Sequence, residues 1–168
     1  MSYNFNADEI LRLAEEIERN GALFYTLAAE QTKTPSTRQF FTELASMEKE
    51  HVKVFTSLRS KLTAREQAPV TFDPDGETAQ YLKALAGVSV VDEKAQSAFA
   101  LAEKLSDKEG LAKALRAAID LEKDSVVFYL GLKEMVPKHM GQERVDEIIR
   151  EEMRHIRLLG ARLSSIKP

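Results

Sequence analysis

The chain has 168 residues, of which 43% are hydrophobic and 30% are charged, as expected for a single soluble domain over residues 1–168 with a sizeable core. The formal net charge of −3 gives no electrostatic basis for binding nucleic acid or an anionic membrane, and without a recognisable membrane span or secretory signal we expect a cytoplasmic location. Cysteine is absent, which excludes thiolate ligands and leaves oxygen and nitrogen to bind any metal.

Four long segments have apolar residues at helical spacing, which predicts an all-α protein. The connections from the first helix to the second and from the third to the fourth are short, so each pair should form an antiparallel hairpin. Two hairpins of this length predict a four-helix bundle. The predicted helices cover residues 7–30, 35–62, 108–134 and 142–165, within hairpins at 6–62 and 107–166.

In the first hairpin, ionisable residues occupy helix positions whose neighbours on the same face are apolar or small and are predicted to lie in the core. Glu18 and Tyr25 lie in the inward row of the first helix, among leucine, alanine and glycine. Thr34, followed by proline, predicts the N-cap of the second helix. In that helix Glu48 and His51 interrupt a row of phenylalanine and leucine, so both are predicted to be buried.

The segment at residues 63–106 is predicted to be a crossover between the two hairpins. It begins with strong turn signals, including Asp73 followed by a proline and, at position 76, a glycine. Two shorter helices are predicted within it, over residues 78–85 and 92–105. The crossover is therefore predicted to be partly helical.

The second hairpin repeats the pattern of the first at an offset of 104 residues (122 − 18). Glu122 and Tyr129 lie in the third helix, and Glu152 and His155 form the second Glu-x-x-His motif in the fourth. In both halves the single glutamate precedes the motif by 30 residues (48 − 18). At about 1.5 Å rise per residue, this spacing places the glutamates and histidines of the four helices at a common level along the bundle.

Four carboxylates and two imidazoles are thus predicted to meet in one layer of the bundle. Four buried anions repel one another and resist desolvation, but two divalent cations with neutral imidazoles would balance their charge. Carboxylate and imidazole ligands suit iron or manganese, with zinc as a substitute. The candidate metal ligands are Glu18, Glu48, His51, Glu122, Glu152 and His155.

Other polar residues near this layer have weaker signals. We expect the hydroxyls of Tyr25 and Tyr129 to donate hydrogen bonds to ligand carboxylates of the opposite hairpin and so to orient these ligands, with core packing as the alternative. Asp120 and Glu147 are candidate hydrogen-bond partners of the histidines. A solvent-facing position is predicted for Glu15, Glu16, Glu50, Asp124, Glu151 and His139.

These motifs resemble those of the ferritin-like di-iron carboxylate proteins, and within them the rubrerythrin-like branch. Glu18 and Glu122 match the single glutamates of that family, and the two Glu-x-x-His motifs match its paired ligands. The resemblance implies a ferritin-like bundle, two iron ions, a homodimer and an oxidoreductase acting in oxidative stress. No rubredoxin domain is expected, since its iron site needs cysteine, and Ser125 stands where the family has a further glutamate.

The resemblance favours a di-iron redox protein that reduces hydrogen peroxide or reacts with oxygen, with electrons from an external donor. One alternative is a ferroxidase that takes part in iron handling. Another is a non-enzymatic, metal-stabilised binding or sensor module whose central region contacts a partner. No catalytic residue is expected beyond the metal centre, and neither nucleic acid nor a membrane is an expected partner.

Overall fold

The computed structural model describes residues 7–63, 97–102, 105, 107–136 and 138–166. These residues contain helices and no strand, and none of the helices has the length and apolar character needed to span a bilayer. Residues 97–102 are helical, and a short 3-10 helix at Lys138–Met140 precedes the last long helix. The long helices are α1 (Ala7–Gln31), α2 (Pro35–Ser60), α3 (Lys108–Met135) and α4 (Gln142–Ser164).

The four long helices form two hairpins, α1 with α2 and α3 with α4, that pack together through α1 with α3 and α2 with α4. This arrangement confirms the predicted all-α, ferritin-like bundle, and the helix ends lie within two residues of the predicted ones. Of the two shorter helices predicted in the crossover, the one at residues 78–85 lies outside the described residues. The other, at 92–105, is described as helical over 97–102.

The helix starts are set by local backbone chemistry. α2 begins at a proline, whose fixed φ suits a first helical position. Thr34 is the N-cap residue, as predicted, with an extended backbone and a carbonyl that accepts the amide of Arg38 at 2.9 Å, but its side chain makes no capping bond. The Asp107 side chain does cap α3, accepting the amide of Gly110 at 2.7 Å.

The apolar core has two parts, and each part receives residues from all four long helices. One cluster includes Leu11, Phe55, Leu132 and Ile148, and the other includes Phe24, Phe41, Leu115 and Leu159. In each helix the candidate metal ligands fall between the residues of one cluster and those of the other. The two clusters therefore enclose a polar layer across the middle of the bundle.

Two glycines near and within α4 should respond in opposite directions to alanine. Gly141 has φ 105°, and a Cβ there would lie 2.6 Å from Cδ2 of Leu58, so Gly141→Ala should lower the free energy of unfolding by about 1–2 kcal/mol. Gly160 is helical, and a Cβ added there would have no atom within 4 Å, so Gly160→Ala should raise it by about 0.5–1 kcal/mol. Denaturant unfolding measures the free energy of unfolding of both variants. The same change in this free energy for Gly141→Ala and Gly160→Ala would contradict the strain at Gly141.

Candidate metal centre

All six predicted metal ligands lie together in the polar layer, and each side chain is buried. The residues are at most 5% exposed, and each helix contributes from its central turns. Their ligand atoms form two groups of four, within 4.8 Å of one another in each group, and Glu48 and Glu152 are in both groups. We call this set the Glu/His layer: Glu18, Glu48, His51, Glu122, Glu152 and His155.

Glu48 and Glu152 each direct one oxygen to each histidine. Oε2 of Glu48 lies 3.3 Å from Nδ1 of His51, and its Oε1 lies 3.1 Å from Nδ1 of His155. Oε1 of Glu152 lies 2.9 Å from the His51 Nδ1, and its Oε2 lies 3.0 Å from the His155 Nδ1. With one oxygen beside each imidazole, Glu48 and Glu152 would each contribute a ligand to both members of a pair of cations.

The remaining two glutamates each approach one histidine. Glu18 Oε2 lies 3.2 Å from His51 Nδ1, and Glu122 Oε1 lies 3.6 Å from His155 Nδ1. Each half thus has one terminal carboxylate and one imidazole in addition to the two shared carboxylates. This is the coordination pattern of a dinuclear site with equivalent ligand sets.

The tyrosines connect the hairpins through the terminal carboxylates. The hydroxyl of Tyr25 on α1 donates to Oε1 of Glu122 on α3, and the hydroxyl of Tyr129 on α3 donates to Oε1 of Glu18 on α1. Burial, together with the charge of the accepting carboxylate, raises the pKa of both phenols well above its usual value. Both tyrosines therefore remain neutral donors that hold the terminal carboxylates in place.

Small residues lie beside the layer at one repeated position. A Cβ added at Gly21 would lie 3.4 Å from Cγ of Glu48, which is an ordinary van der Waals distance, so α1 runs directly beside this carboxylate. The counterpart of Gly21 in the second half is Ser125, whose hydroxyl donates to the carbonyl of Leu121 at 3.1 Å. Ser125 is thus satisfied within its own helix and adds no ligand to the layer.

The two imidazoles hold protons when no cation is present. Burial by itself lowers the pKa of His155, but hydrogen bonds to the surrounding carboxylates outweigh it and raise the pKa to about 12. The same opposing effects raise the pKa of His51. Without metal, both rings are imidazolium ions that partly balance the carboxylates.

The four carboxylates divide into two pairs. Burial, followed by repulsion from the bridging carboxylates, raises the pKa of Glu18 and Glu122 well above its usual value. Burial also opposes ionisation of Glu48 and Glu152, but hydrogen bonds within the layer, including those from the histidines, outweigh it and lower the pKa of both. Protons thus neutralise the metal-free layer, as two divalent cations would.

The donor set fits a pair of divalent cations better than it fits protons. Each Nδ1 carries at most one hydrogen, yet three carboxylate oxygens lie at 2.9 to 3.3 Å from Nδ1 of His51. Two buried oxygens, Glu48 Oε1 and Glu152 Oε1, have no hydrogen bond among the described residues. Cations between the carboxylates would satisfy these oxygens, as unpaired buried polar atoms require.

One neighbour of the layer has a role that the sequence did not predict. Glu151 was expected to face solvent, and its side chain is indeed 52% exposed, but its Oε2 lies 2.7 Å from Nε2 of His51. Adjacent residues on a helix point in different directions, so its position beside Glu152 gave no sign that Glu151 reaches α2. The contact between Glu151 and His51 depends on how α4 crosses α2, and the residue pattern along a single helix cannot predict this crossing.

The prediction that Glu15 faces solvent is wrong. Glu15 is 3% exposed, and its carboxylate lies 2.7 Å from Nη2 of Arg19 and 3.5 Å from Nη1 of Arg59 on α2. Arg59 also binds Asp8 at 2.7 Å, so this group of charges joins α1 to α2 outside the layer. The other flanking acids, Glu16, Glu50 and Asp124, are exposed, as is His139.

The predicted histidine partners Asp120 and Glu147 do not contact the histidines. Asp120 accepts a hydrogen bond from Lys123 at 3.2 Å, and Glu147 accepts one from Arg144 at 2.7 Å. Both pairs are on exposed helix faces with a spacing of three residues, which is a common local pairing in helices. The prediction that these acids are hydrogen-bond partners of the histidines is therefore wrong.

Comparison with known proteins supports the resemblance. The model of the rubrerythrin family matches residues 9–87, which include Glu18, Glu48 and His51 of the first hairpin. Together with the buried Glu/His layer, this match confirms the resemblance to the rubrerythrin-like branch of the ferritin-like di-iron proteins. No curated protein and no solved structure matches the chain.

Metal binding should depend on pH because the cations replace protons. Deprotonation of two imidazoliums and of Glu18 and Glu122 would release up to four protons per chain when two divalent ions bind. Because all four pKa values are raised, metal affinity should fall as pH is lowered. Calorimetry in buffers of different ionisation enthalpy measures the release, and binding that releases no protons would contradict this account.

Proposed function

We propose that this rubrerythrin-like chain is a di-iron oxidoreductase that reduces hydrogen peroxide or reacts with oxygen, using electrons from an external donor. The observation that supports it most directly is the position of Glu48 and Glu152, each of which offers one oxygen to each half of the Glu/His layer. The family match indicates a di-metal protein of redox chemistry or iron handling. The specific reaction, the donor and a homodimeric assembly are part of the proposal.

Iron is the proposed metal, with manganese or zinc as competitors for the same ligands. The layer has only oxygen and nitrogen donors, and this ligand set suits ferrous iron and manganese. When bound, iron would supply the redox chemistry by passing between its ferrous and ferric states. Zinc would fit the ligands but would leave the site without electrons to transfer.

The residues of the chain would bind, orient and insulate this pair of ions. Tyr25 and Tyr129 hold Oε1 of Glu122 and Glu18, and Oε2 of Glu18 faces His51 at 3.2 Å. The two apolar clusters on either side exclude bulk water from the ends of the layer. Reduction of one peroxide to two waters consumes two electrons and two protons, so both an electron donor and a proton supply are needed.

Ferroxidase activity is the second candidate, because one edge of the layer is close to solvent. Half of the Glu151 side chain is exposed, and its carboxylate contacts His51. Glu151 therefore connects the protein surface to the layer. Such an acid would suit the entry of ferrous ions. Fast oxidation of added ferrous iron, with slow turnover of peroxide, would favour this candidate over the peroxidase.

Removal of one bridging carboxylate should disable both metal positions. Glu48→Gln keeps the side-chain size but removes the charge, and we expect metal affinity to fall by at least roughly 100-fold, beyond the range typical of an outer hydrogen-bond partner. Iron content, the oxo-bridge absorption after aerobic loading, and peroxide turnover measure the effect. The wild type should bind about two irons per chain, in line with its two groups of ligands.

The matched control is Glu50→Gln, which changes an exposed carboxylate two residues away on α2. This control should keep the iron content, the absorption and the turnover of the wild type. If wild-type protein takes up no metal, the central proposal is wrong. If it binds two irons tightly without turning over peroxide or oxidising ferrous iron, the binding or sensor module is the better assignment.

Loss of either tyrosine hydroxyl distinguishes an orienting role from packing alone. Tyr25→Phe and Tyr129→Phe keep the buried rings but leave Oε1 of Glu122 or Glu18 without its donor. We expect each change to weaken metal affinity by about 10–100-fold, as is usual for residues that hold a ligand. Competition with a chelator measures the affinity, and unchanged affinity with an unchanged fold would show that the rings serve only in packing.

A further inference from the structure

The repeat that relates the two halves of the Glu/His layer is interrupted beside the histidines. Every member of the layer has a counterpart of the same type at an offset of 104 residues, and so do the two tyrosines. Glu151, however, has Met47 as its counterpart (151 − 47). The two histidines consequently differ in what they contact outside the layer.

The contacts of the two outer ring nitrogens show this difference. Nε2 of His51 lies 2.7 Å from Oε2 of Glu151, while Nδ1 of the same ring faces the layer. Nε2 of His155 is buried and has no hydrogen-bond partner among the described residues. Met47 is partly buried and packs on the apolar cluster that contains Leu159, one turn beyond His155.

A carboxylate behind a metal-binding histidine affects the nitrogen that binds the metal. Glu151 accepts the Nε2 hydrogen of His51, which leaves the lone pair on Nδ1, fixes the ring orientation and increases the donor strength of the ring. A methionine thioether is only a weak acceptor and cannot do the same for His155. The ligand sets are otherwise matched, so this contact distinguishes the two positions.

We propose that Glu151 makes the position beside His51 the tighter of the two metal positions, so that the site fills in a fixed order. This inference rests on the proposed two-metal centre. Glu151 acts as a positioning residue, since it touches a ligand and not the metal. Loss of such a partner typically weakens metal binding by about 10–100-fold, which is the expected ratio between the two affinities.

The order of filling can be measured with manganese(II) alone, using electron paramagnetic resonance on the full chain. At one equivalent the wild type should give the signal of isolated manganese ions, and at two equivalents that of coupled pairs. Glu151→Met places methionine at both positions of the repeat, so it should make the two affinities similar and raise the share of coupled pairs at one equivalent. A share of coupled pairs at one equivalent that is as large in the wild type as in Glu151→Met would overturn the inference.

The position that fills first can be identified by removing each terminal ligand. Glu18→Gln should weaken the first binding event, whereas Glu122→Gln should leave it nearly unchanged. Equal effects of these two variants would overturn the inference. Glu151→Gln, which keeps an acceptor oxygen for the Nε2 hydrogen, should restore part of the ratio that Glu151→Met abolishes, and no recovery would overturn the hydrogen-bond explanation.

An exchange of the two outer residues gives a second, independent test. Met47→Glu combined with Glu151→Met should reverse the order, so that Glu122→Gln then weakens the first binding event. Glu50→Met is the matched control for loss of an exposed carboxylate nearby and should leave the order unchanged. No manganese binding by the wild type would refute the metal centre itself, whereas two equal affinities would refute only the role of Glu151.

Discussion

The structure depends on one constraint, which is the neutralisation of four carboxylates inside a dry helical bundle. A buried carboxylate is stable only when a proton, a cation or hydrogen-bond donors compensate its charge. In the Glu/His layer the histidines and tyrosines supply such donors, and the spacing of the bridging oxygens suits two cations. The positions of the tyrosine hydroxyls and the imidazoles around the carboxylates meet this requirement.

The same constraint ties the two hairpins together. Each bridging carboxylate comes from a different hairpin but lies near both histidines, and each tyrosine hydroxyl crosses from one hairpin to the other. The contacts between hairpins in this region are therefore polar, although apolar packing surrounds them.

The sequence was sufficient to predict the four long helices and the members of the layer, because both depend on periodicity within one helix and on the internal repeat. It failed where the outcome depended on how helices cross. Glu15 is buried because Arg59 of α2 lies over it, and Glu151 reaches His51 because α4 passes close to α2. Asp120 and Glu147 instead pair with a lysine and an arginine three residues away on their own helices, and this spacing is visible in the sequence.

The division of the apolar core into two clusters has a mechanical consequence. Each cluster joins all four long helices, so the bundle is clamped at both ends of the polar layer. Bond lengths and charges within the layer can change while the helices are kept in place by packing on either side. For the proposed redox function, a centre held in this way would need little rearrangement of its surroundings on gaining or losing an electron, which would favour fast electron transfer.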